Sequence, residues 1–382
     1  MSFIALIAIV VSILIAIYLG KRWQFWFKCH PRGVYKIAYW FFVGIASLSL
    51  VLSKIFESLS TYWLPLLANV TFGLIICAIF VTLLFDIVHK LIKNKFSSNL
   101  ATKIIYIICV LSLFCYGHEM AIESKIVNYQ VKINKPANVD HLRIVQLSDI
   151  HINELTTHRM IQQMVDKVNS LNADFIVITG DTLDKRLKPF IEQDFYKQFQ
   201  QLKSKYGTYI IFGNHEYLGT KEPNNREQDI INAFQQANMK VLKDDIVYLD
   251  DVGISLIGRD DFSSALYDVK RASLSDLMMF TDTQSPVILL DHQPKDLVEP
   301  ASLGVDLMIS GHTHDGQVFP INLLVAAMYK NAHGIYQDNE KPFVSIVSSG
   351  YGLWGPPIRL MTHSEIAVID IDFAKQPASS TN

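Results

Sequence analysis

The chain has 382 residues, half of them hydrophobic, with 34 Lys and Arg against 36 Asp and Glu. The near-neutral total hides an asymmetry: residues 1–120 carry 10 basic and 3 acidic side chains, and residues 121–382 carry 24 and 33. An acidic second part argues against nucleic acid, which needs a basic footprint, and all four cysteines lie before residue 121, which excludes a disulfide framework from that part.

The first part reads as membrane. Ser2–Gly20, Ile37–Ser53, Ser58–Phe85 and Ile104–His118 are uncharged runs of 19, 17, 28 and 15 residues, and about 20 apolar residues are needed to cross a bilayer as a helix. They predict an all-α transmembrane anchor of about four helices, near 2–20, 37–53, 62–85 and 104–120. Tyr39, Trp40, Tyr62 and Trp63 sit at run ends, where interfacial aromatics belong. The first run lacks the basic start and small-residue cleavage site of a removable signal peptide. The loop after the first run holds Lys21, Arg22, Lys28, Arg32 and Lys36, and the loop after the third holds Lys90, Lys93, Lys95 and Lys103, against Lys54 alone between the second and third. That bias places both basic loops in the cytoplasm and the C-terminal part on the periplasmic or extracellular side, provided the fourth run spans. Asp86 and Asn69 lie within or beside the third run and are weak support for a transport role.

Residues 121–140 read as a linker and edge strand, 141–373 as one α/β domain, and 374–382 as a disordered tail. Apolar runs at 142–147, 175–179 and 208–212 alternate with helical spacing at 155–171, 189–204 and 226–238, which suggests βαβ units. Residues 246–258 and 343–371 read as antiparallel strands, with further runs at 287–290 and 305–309 between them. The mixture implies two packed sheets with helices outside, a four-layer αββα sandwich.

Five of the runs end in groups able to bind a metal: Asp149 and His151 in "SDIH", Asp181 in "GDTLD", Asn214 and His215 in "GNHE", His292 in "DHQP", and His312 and His314 in "GHTH". Ligands collect at the carboxyl ends of strands in α/β sheets, and residues two apart on an extended chain point the same way, so each spaced pair can face one cavity. Carboxylate, imidazole and amide without thiolate suit Mn, Fe or Zn. These groups exceed the needs of one ion, and two divalent ions sharing a carboxylate account for the number.

The order DxH, GD, GNH, H, GHxH resembles the calcineurin-like metallophosphoesterase superfamily over roughly residues 140–372. The membrane helices in front and "SSGYGLWGPPIRL" behind are similar to its bacterial membrane-associated phosphodiesterase branch. Asp315 departs from the pattern, standing where many members have glycine. The resemblance implies that Asp149, His151 and His314 hold one ion, that Asp181 bridges, and that Asn214, His292 and His312 hold the other. It implies that His215 donates a proton to the leaving oxygen, oriented by Asp184, while a hydroxide between the metals attacks. Arg359 is a candidate for binding substrate phosphate or for a surface ion pair. Glu216 is a candidate to orient a ligand or to be a surface charge. His118, His141, His158, His333 and His363 fit no ligand spacing.

The expected activity is hydrolysis of a phosphomonoester or phosphodiester, with phospholipid headgroups, lipid-linked phosphates or scavenged organic phosphates as candidate partners beside the bilayer. Cleavage of UDP-diacylglucosamine is an alternative that conflicts with the predicted sidedness. A non-catalytic sensor or scaffold predicts gaps among the ligands, and none is present.

Overall fold

The computed structural model describes residues 3–56, 62–92, 98–220 and 226–375. Two compact units emerge: one holds residues up to Ala121 together with Trp354–Ile358, and the other runs from Ile122 onward with that segment excepted. The tail predicted to be disordered falls mostly on 376–382, outside the described residues, and the last strand runs on to Ala374.

The first unit contains α1 (Phe3–Phe27), α2 (Val34–Ser47), α3 (Ser49–Ile55), α4 (Trp63–Leu91) and α5 (Leu100–Ile122). Leu6–Phe27, α4 and α5 are each long and apolar enough to cross a membrane. The 15-residue fourth run becomes a 23-residue helix because α5 extends beyond the uncharged window at both ends; at 1.5 Å per residue that is about 35 Å. The second run is the broken one. It bends by 73° between α2 and α3 at Leu48, between Ser47 and Ser49. The Ser49 hydroxyl donates to the Ala68 carbonyl at 3.1 Å, which fastens α3 to α4 just past the bend. Asp86 is not a lone acid: Arg22 donates to it, as do Tyr18 Oη at 3.2 Å and Trp26 Nε1 at 2.9 Å. The pair ties α1 to α4 and neutralises the one acid of the third span, so a transport role loses its support.

In the second unit the chain forms β1 (Lys125–Pro136), β2 (His141–Leu147), α6 (His158–Asn169), β3 (Phe175–Thr179), α7 (Lys188–Glu192), α8 (Phe195–Phe199), β4 (Thr208–Ile211), α9 (Asn214–Leu218), α10 (Glu227–Gln236) and β5 (Met239–Val241). Then follow β6 (Asp245–Leu249), β7 (Ile254–Gly258), α11 (Leu274–Met278), β8 (Val287–Leu290), α12 (Val298–Leu303), β9 (Leu307–Ser310), α13 (Ile321–Met328), β10 (Gly334–Gln337), β11 (Val344–Val347) and β12 (Glu365–Ala374). One sheet has the order β1-β12-β2-β3-β4-β5 and the other β10-β11-β9-β8-β7-β6.

Side-chain alternation along the strands builds the layers. Phe175 and Val177 of β3 face Ile288 and Leu290 of β8 in a core between the sheets. Ile176 and Ile178 point the other way, onto α6, α8 and α10, and Val287 and Leu289 point onto α11 and α12. The result is the expected αββα sandwich. Three expectations change in detail. The helix expected over 189–204 is two short ones, α7 and α8, separated where Asp194 turns left-handed at φ 52°. The strands of 343–371 are mixed: β11 runs parallel to β9 and antiparallel to β10, and β12 runs antiparallel to β2 but parallel to β1. Helix α13 was not foreseen at all.

Candidate metal centre

The parallel core strands β2, β3, β4, β8 and β9 deliver their carboxyl ends to one place. Three overlapping groups result: Asp149, His151 and His314; His151, Asp181 and His215; and Asp181, His292 and His312, with donor atoms inside each group within 4.8 Å of one another. His151 and Asp181 each belong to two of the groups. His151 Nε2 lies 2.9 Å from His314 Nε2, His314 Nε2 lies 3.4 Å from Asp149 Oδ1, and His292 Nε2 lies 3.2 Å from Asp181 Oδ2.

The backbone behind these side chains is unusual. Asp149, His151, Asp181, His312 and His314 all have positive φ, between 50° and 72°. Non-glycine residues in this region cost of order 1–3 kcal/mol each and cluster at functional sites. The spaced pairs therefore do not share a side by strand alternation, as expected from sequence. They lie just past the strands, in left-handed turns that aim both side chains inward. Gly180 and Gly213 let these turns nest: a Cβ on Gly213 would sit 2.2 Å from Asp181 Oδ1.

Hydrogen bonds fix the donor atoms. The Ser148 hydroxyl and the His312 amide donate to Asp149, and the His215 amide donates to Asp181 Oδ1 at 2.8 Å. His292 Nδ1 meets the Thr179 carbonyl at 2.7 Å, so that nitrogen carries the proton and Nε2 is left to accept. Glu216 is fully buried. Its carboxylate accepts from the amides of Asp181, Leu183 and Gly213 at 2.7–3.0 Å, joining the turn after β3 to the turn after β4. It is an orienting group and not a surface charge.

Burial alone would push both carboxyls up. For Asp149 it prevails, whereas His292, His215 and His151 outweigh it at Asp181 and hold that carboxyl well below its usual range. Burial, reinforced by neighbouring imidazoles, pushes His312 down to about 3 and His314 well below its ordinary value, so both are neutral, the form a metal requires. His215 goes the other way. Burial opposes its charge, but Asp181 and Asp184 lift it to about 9. Its Nδ1 donates to the Asp184 carbonyl oxygen at 2.5 Å, and the Asp184 carboxylate stands 3.4 Å from both His215 Nδ1 and His151 Nδ1. The carboxylate is thus shared between two imidazoles.

The donor set fits divalent cations. Asn214 Oδ1 is buried without a hydrogen-bond partner, and such a group is costly unless something binds it. Nitrogen and oxygen donors without thiolate are the set expected of Mn, Fe or Zn.

Arg359 departs from a substrate-facing role. It is fully buried. One terminal nitrogen donates to the carbonyls of His314 and His363, and the other to those of Ser349, Gly350 and Gly352. It clamps the backbone beneath His314. His333, read as ordinary, has its Nε2 2.7 Å from the buried carboxylate of Glu365, which also accepts from Ser349 and Tyr129. Neither role has a signal in residue spacing.

Two facing sheets whose strand ends converge on a cluster of His and Asp define a class of α/β protein with a candidate site for divalent metal. The calcineurin-like phosphoesterase profile matches residues 142–316. An uncharacterized metallophosphoesterase of Campylobacter jejuni is 30% identical, across 82% of this chain and 83% of its own. A Helicobacter pylori metallophosphoesterase is 34% identical over 60% of this chain and 59% of its own. A transmembrane protein with metallophosphoesterase domain from Danio rerio is 27% identical over 89% and 80%. The chain belongs to the calcineurin-like metallophosphoesterase family.

Proposed function

We propose that the chain is a membrane-anchored hydrolase of phosphomonoesters or phosphodiesters that works with two divalent cations. The observation that carries this is the convergence of Asp149, His151, Asp181, His292, His312 and His314 in overlapping donor groups, with the buried Asn214 Oδ1 left without a hydrogen-bond partner. Asp149, His151 and His314 would hold one cation, Asn214, His292 and His312 would hold the other, and Asp181 would serve both. When bound, the two ions supply the Lewis acidity that activates water and offsets phosphoryl charge.

The protein's own groups do the rest. His215, a cation at neutral pH, sits beside the cluster and donates a proton to the departing alkoxide oxygen. Its Nδ1 proton is held by the Asp184 carbonyl, so Nε2 is the nitrogen that transfers. Asp184 stabilises the charged imidazole. Glu216 and Arg359 keep the donor turns in register and touch no substrate. Substrates presented at a bilayer, such as phospholipid headgroups or lipid-linked phosphates, agree with the anchor.

The test uses the purified full chain in detergent, stripped with chelator and reloaded with Mn²⁺, Fe²⁺ or Zn²⁺, on p-nitrophenyl phosphate and bis-p-nitrophenyl phosphate. Hydrolysis should vanish on stripping and return with metal. A folded chain that binds two equivalents of metal and cleaves neither ester or any phospholipid overturns the reading.

A further inference from the structure

Lys295 is a cation beside the metal centre that, among the described residues, forms no ion pair. It stands three residues past His292, and three residues of chain reach at most about 11 Å. Its amide donates to the Gln293 carbonyl at 2.8 Å, so the chain doubles back there and the reach is shorter still. The ammonium lies 3.6 Å from the centre of the Phe262 ring. The acids around it are engaged elsewhere. Asp291 accepts from Arg259 at 3.3 Å and from Arg271. Asp261 accepts from the Ser263 amide at 2.7 Å and from Gln293 Nε2 at 3.0 and 2.9 Å. These bonds lash the segment after β7 to the turn after β8, and they hold the Phe262 ring beside the ammonium although that ring is 53% exposed. At an exposed site a ring attracts a cation only weakly and leaves its charge free for an anion.

The same platform borders the metal centre on the His312 side. Burial is the main cause that keeps His312 neutral, and His292 and then the Lys295 ammonium add to it. The Tyr329 ring lies 6.2 Å from that of His312. Its hydroxyl is pushed up first by burial and then by the Asp261 carboxylate. Lys295 and the Asp261–Phe262 segment therefore stand next to His312 and Tyr329, at the edge of the donor cluster.

We propose that Lys295, steadied by Phe262, binds a second anionic group of the substrate while the phosphate to be cleaved sits at the metals. The ligand class is an organic phosphate that carries a further phosphoryl group. An ammonium is a compact point charge with three donors, so it takes a phosphoryl group without demanding one orientation. The inference rests on the hydrolytic reading for the seat of the first group, and it narrows that reading, because an ester with a neutral far end lacks the contact.

The probes are propylphosphonate and propane-1,3-diphosphonate, whose carbon–phosphorus bonds resist hydrolysis. Each is titrated calorimetrically into the purified full chain in detergent, loaded with Mn²⁺. The parent should bind the diphosphonate about tenfold more tightly, the lower end of what one hydrogen bond between charged groups contributes. Lys295→Gln should bring the two affinities to within about twofold, chiefly by weakening the diphosphonate. Lys295→Arg should keep most of the preference, and Lys203→Gln, which removes an exposed cation elsewhere, should keep all of it. No preference in the parent, an unchanged one in Lys295→Gln, or equal weakening of both probes would overturn the proposal and leave the hydrolytic reading standing. Binding of neither probe by the metal-loaded parent would overturn both.

Discussion

At the level of single residues, the grouping of Asp149, His151, Asp181, His292, His312 and His314 was visible in the sequence, and of the groups that support them Asp184 and Glu216 were candidates. The grouping was legible because each residue ends an apolar run and the blocks come in a known order. Arg359 was not, since a cation after a glycine-rich segment looks the same whether it faces solvent or is buried beneath carbonyls. The division of labour between Asn214 and His215 is directly testable. His215→Ala should lower kcat by roughly 10²–10⁴ with metal content unchanged by elemental analysis, because its ring is assigned to proton transfer. Asn214→Ala should instead lose bound metal, and excess Mn²⁺ should restore part of the rate. Loss of metal in His215→Ala would make that residue a ligand, which its place beside His151 and Asp181 permits. Arg359→Met leaves the Ser349 and Gly352 carbonyls without their donor, while those of His314, Gly350 and His363 keep another. At about 1–3 kcal/mol for a buried unsatisfied group, the cost is at least about 2 kcal/mol. That corresponds to a fall in Tm of about 4 °C or more for a unit of this size, read by thermal unfolding of the metal-free protein. An unchanged Tm would return Arg359 to the substrate.

At the level of elements, strand position was legible wherever the run was continuous and flanked by helices. β3 and β8 fall where the apolar runs do, because a strand buried on both faces must be apolar throughout. Helix breaks were not legible. The left-handed turn at Asp194 and the serine-flanked bend at Leu48 depend on local contacts that composition does not record. The turns after the strands were misread in conformation although correctly placed. Extended geometry would have sufficed to co-orient residues two apart, yet the chain adopts positive φ at five donors. The interlock of two such turns makes a sharp prediction. In Gly213→Ala the new Cβ would meet Asp181 Oδ1 at 2.2 Å and the Asp181 amide at 2.6 Å. The contact is partly with backbone, so no rotamer change relieves it, and the turns after β3 and β4 must part. Both the Asp181 and the Asn214 donors then move, and the variant should bind less than half the parent's metal and lose most hydrolysis, while the β-sheet signal in circular dichroism persists. Gly44→Ala, where a Cβ would meet nothing within 4 Å, serves as the neutral comparison. Parent-like metal binding in Gly213→Ala would show that the two turns are not rigidly engaged.

For the whole molecule, the question is which side of the membrane the metal centre faces, and it turns on the bent pair α2 and α3. If the pair crosses, the chain spans four times. The nine basic residues of the loops after the first and third runs then share one side, opposite Lys54. If the pair turns back instead, the chain spans three times. Lys54 then joins Lys21, Arg22, Lys28, Arg32 and Lys36 on one side, and Lys90, Lys93, Lys95 and Lys103 lie on the other, six against four. Nine against one is a strong orienting bias and six against four a weak one, so charge favours the crossing although the helix is broken. The 29-residue α4 and 23-residue α5 cross in both cases. The second unit should therefore stand outside the cytoplasm, on the same side as the N-terminus. A C-terminal alkaline phosphatase fusion is expected to be active and a C-terminal green fluorescent protein fusion dark, with the same pair reversed when fused after Lys95. A bright C-terminal fluorescent fusion would establish three crossings, place the metal centre in the cytoplasm, and bring soluble cytoplasmic phosphoesters within its reach.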